Sequence, residues 1–183
     1  MIGAPRIEGY AVISEDGMIA DAHGRFPDAL KREEDQRFYK EALDRVDVVV
    51  NGRHSGEQHP NSSTRRRLIV TRQVRALTFD PLGRNVILWN PQSVPFEDAL
   101  KAFATPPRSI GILGGTDVFE IFLDHFDVFY LTRIAGVLLP AGRPVFRGVP
   151  ERAPEDILSA HGLKRGEDVL RVEGLTIAAW TRA

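Results

Sequence analysis

The sequence predicts a single α/β domain over residues 1–183, built on a mostly parallel central sheet with helices on both faces and an antiparallel strand at its C-terminal end. Three observations predict it. Between Val46 and Ile134, short apolar runs alternate with segments of helical periodicity, the pattern of strands covered on both sides. Within that stretch, the apolar run Ser109–Leu113 meets Gly114 and Gly115 and passes at once into a helical pattern. Further on, Ile157–Lys164 and Gly174–Thr181 read as a closing antiparallel pair, with a turn between Arg165 and Glu173. A chain of 183 residues is long enough for one substantial core.

Ile7–Ser14 is the first strand, with Tyr10, Val12 and Ser14 on one face and Ala11 and Ile13 on the other. Glu15-Asp16-Gly17 is a turn signal, after which Met18–Asp21 resumes the apolar pattern. Leu30–Arg45 reads as a helix whose apolar stripe is Phe38, Tyr39, Ala42 and Val46. Asp35 heads that stripe, three residues before Phe38 and four before Tyr39. A carboxylate on a buried face needs a partner. On the residues alone, a solvated acid favoured by the helix dipole is the simpler reading.

Val46–Val50 is the next strand, followed by the turn Asn51-Gly52-Arg53-His54-Ser55, and Gly56–Arg67 is a polar loop. Leu68–Val70 ends in Thr71-Arg72, which places an arginine at the C-terminal end of a parallel strand, on the ligand edge of an α/β sheet. Val86–Trp89 is a strand, and Phe96, Leu100 and Phe103 mark a helix from near Ser93. At Gly114-Gly115 the backbone can take conformations closed to other residues. Thr116 and Asp117 suit a helix start, and Val118, Ile121 and Phe122 share one helical face. Such a turn aims backbone N–H groups at whatever lies above it, most often a phosphate. The spacing is not the dinucleotide fingerprint, so a ligand-free turn is an equal reading. Asp127–Ile134 is a strand with Tyr130 and Thr132 on one face and Phe129 and Leu131 on the other; Leu138–Phe146 is a loop.

Composition narrows the classes. The chain is 43% apolar and 27% charged with a net charge of −1, which disfavours general binding to nucleic acid or to anionic membranes. It has no cysteine, so disulfides, thiolate metal sites and a cysteine nucleophile are excluded. The histidines (23, 54, 59, 125 and 161) show no zinc-binding spacing, and no metal is expected. No apolar run reaches the length of a membrane span and no leader pattern opens the chain, so the expected compartment is the cytoplasm.

The apolar strand, Gly114-Gly115, the helix bearing Phe119, and Tyr130-Leu131-Thr132-Arg133 together resemble the dihydrofolate reductase superfamily. The nearer branch is the pyrimidine reductase of riboflavin biosynthesis. Ser14-Glu15-Asp16-Gly17-Met18-Ile19-Ala20 resembles that branch's S-x-D-G-x-I-A stretch, while Gly52-Arg53-His54-Ser55 resembles the superfamily's Gly-Arg-x-Thr turn and Pro144-Val145-Phe146 the superfamily's loop before the last hairpin. Asp35-x-x-Phe38-Tyr39-Lys40 is similar to the substrate-anchoring acid of the reductases, and Glu34-Asp35 to the pair in the riboflavin branch. Asp28, after Phe26-Pro27, is a second and less well-spaced candidate.

The resemblance implies NADPH as cofactor. Asp16, Gly17 and Ile19 would lie over the nicotinamide. Gly52, Arg53, His54, Ser55, Thr71 and Arg72 would meet the phosphates, Arg72 at the 2′-phosphate. Gly114, Gly115, Thr116, Asp117 and Val118 would meet the pyrophosphate, with a cis Gly114–Gly115 peptide as in relatives. Asp35 would take the paired N–H donors of a pteridine or aminopyrimidine, its pKa raised by burial and partly restored by Thr132, with Phe38 and Tyr39 against the ring. The activity implied is reduction of such a heterocycle; dihydrofolate reductase and a non-catalytic NADP-binding protein are the alternatives. A small heterocyclic substrate is the expected partner, without nucleic acid or membrane, and a homodimer is allowed for. The chain departs from the family in three places: it has no Trp between Met18 and Lys31, Phe119 stands where a Tyr is usual, and the glycine-rich C-terminal half is short.

Overall fold

A computed structural model describes residues 4–55, 64–81 and 85–182. The chain opens with β1 (Arg6–Ile13) and the short β2 (Met18–Ala20), then a single 3-10 turn at Asp28–Leu30 and α1 (Glu33–Leu43). Four strands follow, β3 (Val48–Gly52), β4 (Arg66–Val70), β5 (Leu77–Phe79) and β6 (Val86–Trp89), and then α2 (Phe96–Lys101). Next come β7 (Ser109–Ile112), α3 (Thr116–Phe122), β8 (Val128–Ile134) and the two-residue β9 (Arg143–Pro144). The chain closes with α4 (Pro154–Ala160), β10 (Leu163–Val172) and β11 (Leu175–Arg182).

Nine strands form one sheet in the order β10-β11-β8-β1-β7-β3-β4-β6-β5, and β2 pairs with β9 in a separate two-stranded ladder. All pairings from β8 through β6 are parallel; β11 on β8, β10 on β11 and β5 on β6 are antiparallel. The expected mostly parallel sheet with an antiparallel C-terminal strand is therefore present, with one more antiparallel strand at the far edge. β5 escaped the sequence reading because its three residues are half-buried to exposed and show no apolar run.

Strand alternation assigns the two faces. Ile7 and Ile13 of β1, Val48 and Val50 of β3, and Phe129 and Leu131 of β8 pack with α2, α3 and α4. That core is dense in rings: Phe119 and Phe129 lie 5.3 Å apart, Phe126 and Phe129 5.0 Å, Phe129 and Phe146 5.3 Å. Edge-to-face pairs of this kind add to the burial of their area. On the opposite face Tyr10, Val49, Ala42 and Leu43 pack together with Phe38, Tyr39 and Val46, which seats α1 by its apolar stripe. The helix is shorter than Leu30–Arg45: Leu30 closes the separate 3-10 turn, Lys31 and Arg32 are extended, and the helix ends at Leu43.

The closing pair needs a correction. Ile157–Ala160 belongs to α4, not to a strand. Pro154 sits in the first turn, where its missing N–H costs nothing, and Glu155 and Asp156 suit the helix dipole. Ile157 and Leu158 are both buried against one core, which adjacent residues of a half-buried strand cannot be. The hairpin is correspondingly longer, with Val172 opposite Leu175 across its turn. β10 is an edge strand whose pairing is interrupted twice, between Arg165 and Asp168 and between Asp168 and Leu170. Arg165 and Arg171 both pair with Asp168, and Val169 and Val172 are exposed. The polar loop expected from Gly56 lies largely outside the described residues.

Candidate functional site

The parallel strands β1, β3, β4 and β7 end on one side of the sheet, and a cavity of about 1800 Å³ opens beyond their carboxyl ends. This is the edge on which open α/β sheets carry ligands.

At one end lies Asp35. The first turn of α1 carries it on the stripe that also bears Phe38 and Tyr39, so it is drawn toward the sheet and half-buried. Burial pushes its carboxyl above the ordinary carboxylate range, and a hydrogen bond from the Thr132 hydroxyl acts in the opposite direction. Thr132 is 2% exposed, on β8, opposite Val12 of β1. Asp35 and Thr132 both line the cavity. Asp28 does not: its side chain is exposed on the 3-10 turn and pairs with Lys31 at 2.7 Å. Solvent and a neighbouring ammonium make it an ordinary surface acid.

Next to Asp35 the wall is aromatic. Tyr10 and Tyr130 are opposed in register and stacked, 5.3 Å apart at 14°. Phe38 meets Tyr130 edge-on at 5.3 Å, and Tyr39 meets Tyr10 at 6.2 Å. Tyr10 donates to the Glu8 carboxylate. Burial, with that bond, holds its phenol well above the usual value. Tyr10 joins the expected Phe38 and Tyr39 in this wall, and its sequence signal is the strand face it shares with Val12, the strand neighbour of Thr132.

The middle of the cavity is the junction of two turns. The Gly52 N–H donates to the Gly114 carbonyl at 2.9 Å, and the Gly115 N–H to Ser55 Oγ at 3.2 Å. The Gly114–Gly115 peptide is cis. Gly114 has φ +86° and a Cβ there would stand 2.5 Å from Phe119 Cε2, so only glycine fits. Thr116 does not cap α3: its hydroxyl donates to the Pro144 carbonyl, and Gly115 occupies the cap position. The Asp117 carboxylate is matched by Arg147 at 2.7 Å. Gly52, Arg53, His54, Ser55, Gly115, Thr116, Asp117 and Val118 all line this region, and Thr71 and Arg72 line its far end beyond β4.

Three of the expected cofactor residues stand back from it. Gly114 is behind the turn, its carbonyl taken by Gly52. Asp16 accepts from Ser14 Oγ at 2.5 Å and from the Leu139 N–H at 3.1 Å, so it ties the turn after β1 to the loop after β8. Gly17 packs near Val149 and Pro154, and its carbonyl accepts from the Val145 N–H. Of that stretch, Ile19 and the following Ala20 reach the cavity. Arg143 and Arg147 also line it and were not anticipated, since they sit in or beside a loop without periodicity.

No family model and no curated protein sequence matches the chain. Solved structures do. A protein described under riboflavin biosynthesis from Shewanella sp. PV-4 superposes with a TM-score of 0.67 at 20% identity, covering 97% of this chain and 99% of that one. A diaminohydroxyphosphoribosylaminopyrimidine deaminase/5-amino-6-(5-phosphoribosylamino)uracil reductase from Thermotoga maritima gives 0.68 at 18% identity. It matches over 98% of this chain but 57% of its own length, so this chain spans little more than half of it. Dihydrofolate reductase from Enterococcus faecalis, complexed with NADP(H) and RAB-propyl, gives 0.64 at 18% identity over 97% and 96% of the two chains. The fold is thus the dihydrofolate reductase-like fold.

Proposed function

We propose that the chain is an NADPH-dependent reductase of a planar nitrogen heterocycle, a pteridine or an aminopyrimidine such as the 5-amino-6-(5-phosphoribosylamino)uracil named for the Thermotoga neighbour. One observation carries this reading: a half-buried carboxylate, held by a buried threonine, shares a cavity with a glycine turn and several arginines. Such a carboxylate can accept two adjacent N–H donors, which aminopyrimidine and pterin rings both present.

The donor set fits a phosphorylated dinucleotide. Arg72 follows β4 and Arg53 follows β3, both at the carboxyl ends of parallel strands, where forked guanidinium donors suit phosphate. Gly115 lets the backbone come close beneath a diphosphate, and Ser55, which accepts the Gly115 N–H, keeps its own proton to donate. The cofactor would supply the hydride, leaving no nucleophile for the protein to provide. The protein's part is to bind and orient. Asp35 fixes the ring by its donors, Thr132 fixes Asp35, and the rings of Phe38, Tyr39, Tyr10 and Tyr130 keep water from that end of the cavity.

A spectrophotometric screen of NADPH oxidation against dihydrofolate, dihydropterins and the riboflavin-pathway aminopyrimidine tests the proposal. Turnover with one of them is expected. Tight NADPH binding with no turnover on any would instead indicate a non-catalytic NADP-binding protein.

A further inference from the structure

Among the described residues, six lysine and arginine side chains line the cavity, and four of them already have polar partners. Arg25 faces Asp21 at 3.8 Å, Lys31 pairs with Asp28 at 2.7 Å, Arg147 with Asp117 at 2.7 Å, and Arg53 contacts His54 at 3.0 Å. Arg72 and Arg143 make no hydrogen bond or ion pair among the described residues. They are not neighbours: Arg72 follows β4, whereas Arg143 opens β9, across the cavity beside the glycine turn.

Arg143 is held in place without a counter-charge among the described residues. Its backbone is laddered to Ala20 of β2, and the carbonyl of the next residue, Pro144, takes the Thr116 hydroxyl just after the Gly114–Gly115 turn. Its guanidinium lies flat against Gly24, where an added Cβ would be 2.6 Å from Nε and the backbone has φ +76°. Glycine at 24 is therefore what lets the guanidinium lie there. A cation positioned by backbone and packing, facing a cavity with no described acid against it, is suited to an anion brought by a ligand.

We propose that Arg143 is a cofactor-binding residue that takes the diphosphate of the dinucleotide, while Arg72 takes the 2′-phosphate. This rests on the NADPH reading above. The strand order β7-β3-β4 puts the glycine turn and Arg72 two strand spacings apart, on the order of 10 Å, a span a dinucleotide bridges. Arg143 also touches the 21–25 turn, so its engagement would settle that turn over the ligand.

Calorimetric titration of the wild type, Arg143→Ala, Arg143→Lys and Arg72→Ala with NADPH and with NADH tests it. Because both cofactors carry the diphosphate, Arg143→Ala should weaken both by the same factor, on the order of tenfold or more. Arg143→Lys should recover part of the loss, since charge remains and the fork is gone. Arg72→Ala should weaken NADPH alone. Arg143 is exposed, so the variant should melt as the wild type does. If the wild type binds both cofactors and Arg143→Ala binds them equally well, or loses only NADPH, the assignment is wrong while the cofactor reading stands. If the wild type binds neither, the cofactor reading itself fails and this assignment with it.

Discussion

Asp35 owes its chemistry to where the chain puts it. Spacing alone made it a first-turn acid on an apolar stripe, and a wet, dipole-favoured side chain was the simpler reading. What that spacing could not show is Thr132, nearly a hundred residues later, whose hydroxyl meets the carboxylate. Asp35→Asn keeps the shape and removes the charge. Turnover with the substrate found by the screen should fall by about a hundredfold, with NADPH affinity unchanged, and Asp28→Asn should leave both alone. Steady-state rates on the two variants side by side check this; an inactive Asp28→Asn would sink it. Stability should move the other way. A carboxyl whose folded pKa is raised favours folding when protonated, below the unfolded value near 3.9, and loses that contribution as pH rises through the folded pKa. Asp35→Asn never ionises. Its stability relative to wild type should therefore grow from acid pH upward and level off once Asp35 is ionised, which denaturant melts at a series of pH values will read.

At the scale of elements, most of the architecture could be read from alternation and glycine placement. β1, β3 and β8 were legible because their odd and even residues face different cores, and β7 because it is an apolar run that meets two glycines. α4 was not, since its two large aliphatic residues, Ile157 and Leu158, are adjacent and by themselves carry no helical period. The glycine turn was legible as a turn, and its two-sided fastening to Gly52 and Ser55 was not, because both partners lie about sixty residues away. Gly114→Ala tests that element. Its new methyl would meet the Phe119 ring, which Phe129 and Phe146 hold at 5.3 and 6.0 Å, so the ring has nowhere to retreat. A loss of about 1–3 kcal/mol is expected from the positive φ and the clash together. Chemical denaturation within about 0.5 kcal/mol of wild type would contradict it.

Across the whole molecule, the cavity draws walls from β1, α1, β3, β4, α3, β8 and β9, segments spread over most of the described chain. A ligand that spans them can bind only the folded sheet. NADPH at a hundred times its dissociation constant should then add about 2.7 kcal/mol to stability. For a chain of this length that is a rise in melting temperature of about 5–10 °C. Scanning calorimetry with and without NADPH reads it, and an unmoved transition would speak against cofactor binding of any kind.

The same sheet has a margin that bears on how the protein behaves in a crowded solution. β10 runs for ten residues along the outside, with two exposed valines, which on a flat strand would invite a foreign segment to lie down beside it. Two interruptions of its ladder and the Arg165–Asp168–Arg171 charges break that invitation up. An incoming chain would meet a kinked rail whose charges must be stripped of water before any new hydrogen bond could form. Neutralising Asp168 by Asp168→Asn would leave two arginines to repel each other and a strand freer to straighten, and light scattering of concentrated samples should then show association that the wild type resists.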